Sequence, residues 1–432
     1  MPRTAAGSRP ADRATARSLA VRTTRRASRG AFVTHELSRA LAGSRLSPAD
    51  RSHLTDLVYG ALRHRIWLDA ALAPRLRDPG ALPEEVREAL RLGTYEKLIR
   101  GTPVHAAVGA WVDEVRAVAP GLAGLANAVL RRVEAPTDPD PATRASLPGW
   151  LWRRLETALG SDAAEAASAM RTPAPLWLTA YAPDAAERLA AEGAEVEPGP
   201  LPGTLRVRPR RPLAETEAFR NGAVQPQNPA STAVTDALEL PVAEDGGAPV
   251  RVLDLCAGRG VKTARLAATG AEVVAVELDP ARIAASRANL RRLRLEARHL
   301  QADLRTPPNE LPSAPYVLLD APCSGTGTLR GHPEIVLRLR EEHLSELTRT
   351  QDALLDAAVD RTEPGGRLVY AVCALTLDEG PERIAALRAR RPEVVPDPWT
   401  PPLPHRTVGD GAFLLPRDGS DGFYVARLRV AR

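Results

Sequence analysis

Three cysteines occur among 432 residues, and each closes a short apolar run: "VLDLC" at Cys256, "YVLLDAPC" at Cys323 and "LVYAVC" at Cys373. A thiolate is a strong nucleophile, so thiols beside carboxylates suit covalent catalysis on an electron-poor carbon. Buried cysteine as a small hydrophobe is the ordinary alternative, and for Cys256 it is the better one. For three cysteines at three strand ends it is the poorer one. Acids close the neighbouring runs: Glu277 after "AEVVAV", Asp303 after "LQA" and Asp320 after "YVLL". The chain has 58 lysines and arginines, yet only Lys97 and Lys262 are lysines. A lysine kept against that bias suggests a use for a compact, flexible charge. For Lys262 the alternative is an ordinary helix-start residue.

The stretch Cys256-Ala257-Gly258-Arg259-Gly260-Val261-Lys262 reads as a cofactor-binding turn. Gly258 and Gly260 let the backbone turn tightly and approach a ligand where the next helix starts. A phosphate-binding P-loop needs Gly-Lys-Ser/Thr, which Val261 interrupts, and the dinucleotide fingerprint lacks its third glycine. Glu277, ending the second strand, is placed to accept hydrogen bonds from ribose hydroxyls. With Asp303 and Asp320 ending the next two strands, the set describes a nucleoside cofactor without a pyrophosphate. S-adenosylmethionine fits. No His/Cys cluster has metal-ligand spacing, so no metal is expected.

These residues need a frame. From Val250 onward, short β-branched runs alternate with amphipathic stretches, ending in "GFYVARLRV". That pattern predicts an α/β, doubly wound parallel sheet, which binds ligands beyond the carboxyl ends of its strands. Residues 17–135 read instead as helices, with apolar positions three and four apart. "SPAD" at Ser47–Asp50 is a helix start with Pro48 in the first turn, and "RSHLTDLVYGALRHRIWLDAALAP" carries one helical pattern. Residues 136–147 are proline-rich and polar and read as a linker. Residues 148–235 mix helical and extended patterns, a small α+β subdomain, and 236–432 hold the doubly wound domain. Residues 1–16 read as a disordered basic arm; the first thirty residues carry eight arginines against one acid, Asp12.

Residues 1–135 hold 22 basic and 13 acidic side chains, or +9, whereas the remainder holds 36 and 40, or −4. A basic front on a slightly acidic remainder suggests a polyanion gripped by the front part, with a solvated arginine-rich surface as the alternative. No apolar run reaches the ~20 residues of a membrane helix. An odd cysteine count without a secretory signal argues for a reducing cytoplasm. A monomer is expected.

"VLDLCAGRGVKT", "DAPCSGTGTLRGHPEI", "LVYAVCALTLDEG" and "DGFYVARLR" resemble the RNA 5-methylcytosine methyltransferases of the RsmB/Nop/Sun family. "DLVYGALRHRIWLD", "LRLGTYEKL", "VHAAV" and "NAVLRR" resemble the NusB-like RNA-binding domain of that family's bacterial small-subunit rRNA enzyme. "QNPAS" resembles the segment leading into the catalytic domain. The resemblance implies an all-α NusB-like domain before a Rossmann-like class I methyltransferase domain. It implies S-adenosylmethionine as cofactor and RNA as substrate, with 16S rRNA favoured before its proteins assemble. It also implies Cys373 as nucleophile, Cys323 as the group assisting release, and Asp320 at the junction of base and cofactor; Lys262, by its type, fits a flexible charge near the reacting groups.

The chain departs from the family pattern at several places. Gly258-Arg259-Gly260-Val261-Lys262 stands for Ala-Pro-Gly-Gly-Lys, and Val372-Cys373-Ala374 for Thr-Cys-Ser. Gly380 follows Glu379 where asparagine is usual, Val336 replaces a lysine, and "WLTAYAP" replaces an Arg-Val-Asn motif. Two rivals follow: a NusB-like RNA-binding protein whose methyltransferase fold is inactive, and a methylase of exocyclic amines. The second uses an Asp/Asn-Pro-Pro-aromatic loop, and Cys323 occupies the second proline's place. By local pattern alone Cys323 is also a candidate nucleophile, since DNA cytosine methyltransferases attack with a cysteine after proline.

Overall fold

The computed structural model describes residues 14–241 and 248–431. The basic arm expected over 1–16 thus lies outside the described residues as far as 13. Its last residues belong to a helix start: the Thr15 hydroxyl caps the helix Ala16–Ser28 by accepting from the Ser18 N–H at 2.9 Å. The chain forms two compact units. The first runs to Trp152 and also contains Gly331–Arg338; the second comprises Arg153–Arg330 and Leu339–Arg432.

The first unit is helical, with Leu54, Leu57, Leu90 and Trp111 fully buried in one apolar core. Ser47 caps the helix Pro48–Arg63 as its sequence indicates. The long pattern that follows is not one helix, however. His64 leaves helical geometry (φ −105°, ψ 15°), and a second helix begins as Arg65–Leu72. The break lets the Arg65 guanidinium form a bidentate pair with buried Glu88, 2.7 Å on each side. Arg17, Arg26 and Arg91 likewise pair with Glu96, Glu36 and Asp69. Part of the basic surplus therefore holds the fold. Lys97 is structural too: its ammonium donates to the carbonyls of Leu130, Arg131 and Val133, at the end of the helix Ala123–Arg132.

Two boundaries differ from expectation. Within the expected linker 136–147, Asp140 caps a short helix, Pro141–Ala145, and the buried Ser146 hydroxyl accepts from the Ile66 N–H at 3.1 Å. Composition signals a loop there, but these bonds tie it to the helical unit. Gly331–Arg338, expected inside the α/β domain, belongs to the helical unit: Leu337 packs on its core and the Arg338 guanidinium lies 4.2 Å from the Phe32 ring centroid.

The second unit contains two sheets. Strands β1 (Leu176–Ala180), β2 (Glu195–Pro198), β3 (Thr204–Arg208) and β4 (Val224–Pro226) form an antiparallel sheet in the order β2-β3-β1-β4, over Leu178, Leu189 and Val207. The larger sheet is built from β5 (Arg251–Leu255), β6 (Glu272–Glu277), β7 (Arg298–Gln301), β8 (Ala314–Asp320), β9 (Thr362–Val372), β10 (Val394–Pro396), β11 (His405–Val408), β12 (Gly411–Leu414) and β13 (Phe423–Val430). Its order is β11-β12-β13-β9-β8-β5-β6-β7, with β10 beside β13. Strands β5 to β9 are parallel, and β13 returns antiparallel to β9. The chain winds outward from β5 and resumes on its other side with β8. That reversal is where such sheets open a ligand crevice.

The parallel strands read as continuous apolar runs because helices cover both faces. Val252, Leu253, Val274, Leu318 and Val369 are accordingly buried. Register then sets the site. Asp320 pairs with Ala371, and Glu277 with Gln301, so the acids and thiols reach one edge together. Strand β7 ends before Asp303, which lies two residues beyond it rather than at its end.

Candidate functional site

Asp320 is the last residue of β8, and Pro322 turns the chain so that Cys323 faces the end of β9. Cys373 follows β9 directly. The two sulfurs are 3.3 Å apart, and all three cysteines are free. Contact with Cys373, together with burial, pushes the Cys323 thiol well above its usual range. At that separation the two thiols share one S–H···S contact, in which either sulfur can be the donor.

Lys262 rises from the helix Val261–Ala267, and its ammonium donates to Asp320 Oδ2 at 2.7 Å. The same nitrogen lies 5.3 Å from the Phe423 ring centroid. Burial depresses the Lys262 pKa, but the charges of Asp320 and Cys373 outweigh it and the net shift is upward. The lysine stays cationic at the junction of β8 and β9.

Cys256 follows β5 in the left-handed region (φ 64°), which is rare for a residue with a side chain. Burial, then the charges of Glu277 and Asp320, push its thiol upward, away from the reactive thiolate. Gly260 (φ 75°) has no alternative, since a Cβ there would lie 2.0 Å from Ser286 Oγ. Gly258 (φ 57°) turns its N–H onto Glu277 Oε2 at 2.8 Å. Glu277 Oε1 accepts from the N–H groups of Leu278 and Asp279, each at 2.9 Å. Asp303 is gripped by Arg305, whose hydrogen bonds hold its carboxyl below the usual range.

A cavity of about 600 Å³ gathers Gly258, Glu277, Asp303, Asp320, Cys323 and Cys373, with Cys256 at its wall. Of the residues expected to touch a cofactor, Ala257, Arg259, Gly260 and Val261 do not line it; they shape the turn behind it. Lys262 reaches the cavity through Asp320. An opening of about 640 Å³ at the other end of the strands is lined by Arg287, Arg291 and Arg298 and holds no thiol. The chemistry belongs to the smaller one.

A nucleoside cofactor fits this lining. A carboxylate offers about four acceptor positions, and the backbone takes three at Glu277, so one is left for a ribose hydroxyl.

Of two further acids at the site, Asp254 carries no mark in the sequence motifs, and Glu379 is marked only as the acid of a Glu-Asn pair that here reads Glu-Gly. Asp254, inside β5, is fully buried; Thr263 donates to its Oδ2 at 2.5 Å, and its Oδ1 has no hydrogen-bond partner. Burial raises its pKa to about 7. An aspartate inside the apolar run "VLDL" is the one signal that could have found it. Glu379 is fully buried between the two cysteine loops. Nothing in "LTLDEG" shows which way its side chain turns.

Residues 243–429 match the family model described as 16S rRNA methyltransferase RsmB/F, and residues 14–135 match the NusB family. The chain is 44% identical over 415 residues to ribosomal RNA small subunit methyltransferase B of Thermus thermophilus, covering 96% of this chain and 98% of that one. Among solved structures, PH0851 superposes with a TM-score of 0.80 at 21% identity, covering 96% of this chain and 98% of its own. NSun6 from Pyrococcus horikoshii with SFG gives 0.58 at 18% identity, covering 66% and 98%. At these identities the structural likeness concerns the fold alone.

Proposed function

The chain belongs to the 16S rRNA methyltransferase RsmB/F family, and from that premise we propose that it forms 5-methylcytosine in small-subunit rRNA through a covalent bond to Cys373. It is a class I, S-adenosylmethionine-dependent methyltransferase with a NusB domain before it. The observation that carries the reading is the pair of free thiols, 3.3 Å apart at the ends of adjacent parallel strands and open to the cavity of Glu277 and Asp320.

Carbon 5 of cytosine is a poor nucleophile, and a sulfur added at carbon 6 makes it a good one. Bound S-adenosylmethionine supplies an electrophilic methyl group. Glu277 accepts from a ribose hydroxyl, and Gly258 and Asp303 line the cavity beside it. Asp320, held by Lys262, accepts from the cytosine amino group and so places the ring, and the Lys262 ammonium offsets the charge the ring gains. Cys373 then forms the bond to carbon 6. While that bond lasts, the Cys373 sulfur no longer opposes ionisation of Cys323, which is the largest cause of its raised pKa. Cys323 then gives its S–H proton to solvent and, as the thiolate, takes the carbon-5 proton, while the electron pair returns to the ring and the Cys373 thiolate leaves. Cys256 stays neutral at the cofactor's side.

The target cytosine must leave any stack to reach a strand-end thiol, so single-stranded or incompletely assembled rRNA is the favoured substrate. Arginines exposed on the helical unit bind phosphates. No described helix is long and apolar enough to cross a membrane, and a cytoplasmic monomer is the working state. Bisulfite or mass-spectrometric mapping of rRNA from cells lacking this gene tests the reading. A single 16S cytosine should lose its 5-methyl group and regain it with the intact gene but not with Cys373→Ala. An unchanged 5-methylcytosine map would refute it.

A further inference from the structure

One buried acid serves both cysteine loops. The Glu379 carboxylate accepts from the Ser324 N–H at 2.7 Å, the Ser324 hydroxyl at 2.5 Å, the Thr376 hydroxyl at 3.1 Å and the Gln351 amide at 3.2 Å. That amide also donates to the Pro322 carbonyl at 3.0 Å. Residues on both sides of Cys323 are therefore tied to one carboxylate. From beneath, the Tyr370 hydroxyl of β9 donates to the Glu379 backbone carbonyl at 2.7 Å. A buried carboxylate is costly unless its acceptor positions are filled. Here four neutral donors fill them.

The two thiols differ in what else holds them. Cys373 follows a strand paired on both sides, Asp320 with Ala371 and Tyr424 with Val372. The Gly327 N–H also donates to its carbonyl at 2.9 Å. Cys323 lies three residues past the end of β8, where no ladder reaches. Between the Ala321 N–H bond to Ala371 and the Gly327 N–H bond to Cys373, the bonds to Pro322 and Ser324 are those next to the thiol on each side.

We propose that Glu379 is a positioning residue that fixes Cys323 against Cys373 and thereby governs release of the methylated RNA rather than attack on it. This rests on the division of labour between the thiols given above. Glu379→Gln removes the charge that strengthens all four bonds and replaces one acceptor by a donor, so the hold on Cys323 is weakened while β9 keeps its pairing.

The test incubates each full-length variant with S-adenosylmethionine and transcribed small-subunit rRNA, and compares single-turnover methylation, multiple-turnover methylation and protein–RNA adduct on a denaturing gel. Glu379→Gln should complete the first methyl transfer, accumulate adduct and lose about tenfold or more in multiple turnover, the scale of one unmade hydrogen bond to a charged group. Ser324→Ala, which removes a single hydroxyl donor, should move the same way by less and decides alone if Glu379→Gln does not fold. Cys323→Ala runs beside them. If it traps adduct while both variants turn over like the parent, the positioning role is wrong. Adduct and product both absent, in Ser324→Ala melting with the parent, would also overturn it by placing the clamp behind attack. If Cys323→Ala itself traps nothing, the assignment of the thiols fails first.

Discussion

Asp254→Asn probes the charge balance beneath the site. Asp254 is fully buried on β5, and burial lifts its pKa to about 7 from the ordinary aspartate value of 3.8. Between those values the folded chain keeps the proton and the unfolded chain releases it, so raising the pH through that window favours unfolding. The window spans roughly 3 pH units. At about 1.36 kcal/mol for each, it amounts to a penalty on the order of 4 kcal/mol, complete above pH ~7 and absent below pH ~4. Asparagine keeps an acceptor for the Thr263 hydroxyl and cannot ionise. Its amide hydrogens, placed where Oδ1 has no partner, add a constant cost of about 1–3 kcal/mol. The absolute stability of the variant is thus less informative than its trend. The difference between variant and parent, from urea unfolding of the second unit, should shift in the variant's favour between pH 4 and 8 by about that amount. A flat difference, or one falling with pH, would refute the argument that Asp254 is a buried, proton-holding acid.

Glu277→Gln should weaken S-adenosylmethionine binding about tenfold or more by calorimetry, since it removes a charge-assisted hydrogen bond worth roughly 1.5–3 kcal/mol; unchanged affinity removes Glu277 from the site. RNA affinity should fall steeply with salt. Replacing the exposed arginines Arg22, Arg45, Arg77 and Arg132 by glutamine should flatten the log–log slope by about 0.7 for each phosphate left without its arginine on a single strand. An identical slope would place the RNA grip elsewhere.

Much of the site is legible in the sequence because strand ends are legible. Apolar runs closed by Asp320, Cys256 and Cys373 mark where a parallel sheet delivers side chains, and β5, β6, β8, β9 and β13 lie where those runs predict. The runs say nothing about the 3.3 Å between Cys323 and Cys373, which depends on β8–β9 register and on a carboxylate 55 residues from Ser324. The hairpin β11–β12 lies in a proline-rich stretch that masks strand periodicity, which hides it from a reading of apolar pattern. The helix break at His64 is hidden for a related reason. The Arg65–Glu88 pair that accompanies it joins residues 23 apart and leaves the local apolar pattern intact. Sequence pattern makes the whole glycine turn a ligand cradle, yet Gly260 is required by Ser286 on a neighbouring helix.

The covalent role of Cys373 is tested most directly by a denaturing gel of labelled small-subunit rRNA with S-adenosylmethionine and the two single-cysteine variants. Cys323→Ala should give a denaturant-resistant protein–RNA band, because attack and methyl transfer proceed while release fails. Cys373→Ala should give neither band nor product. A band from Cys373→Ala with none from Cys323→Ala would exchange the two roles, and methylated product from both variants would contradict thiol catalysis in this enzyme.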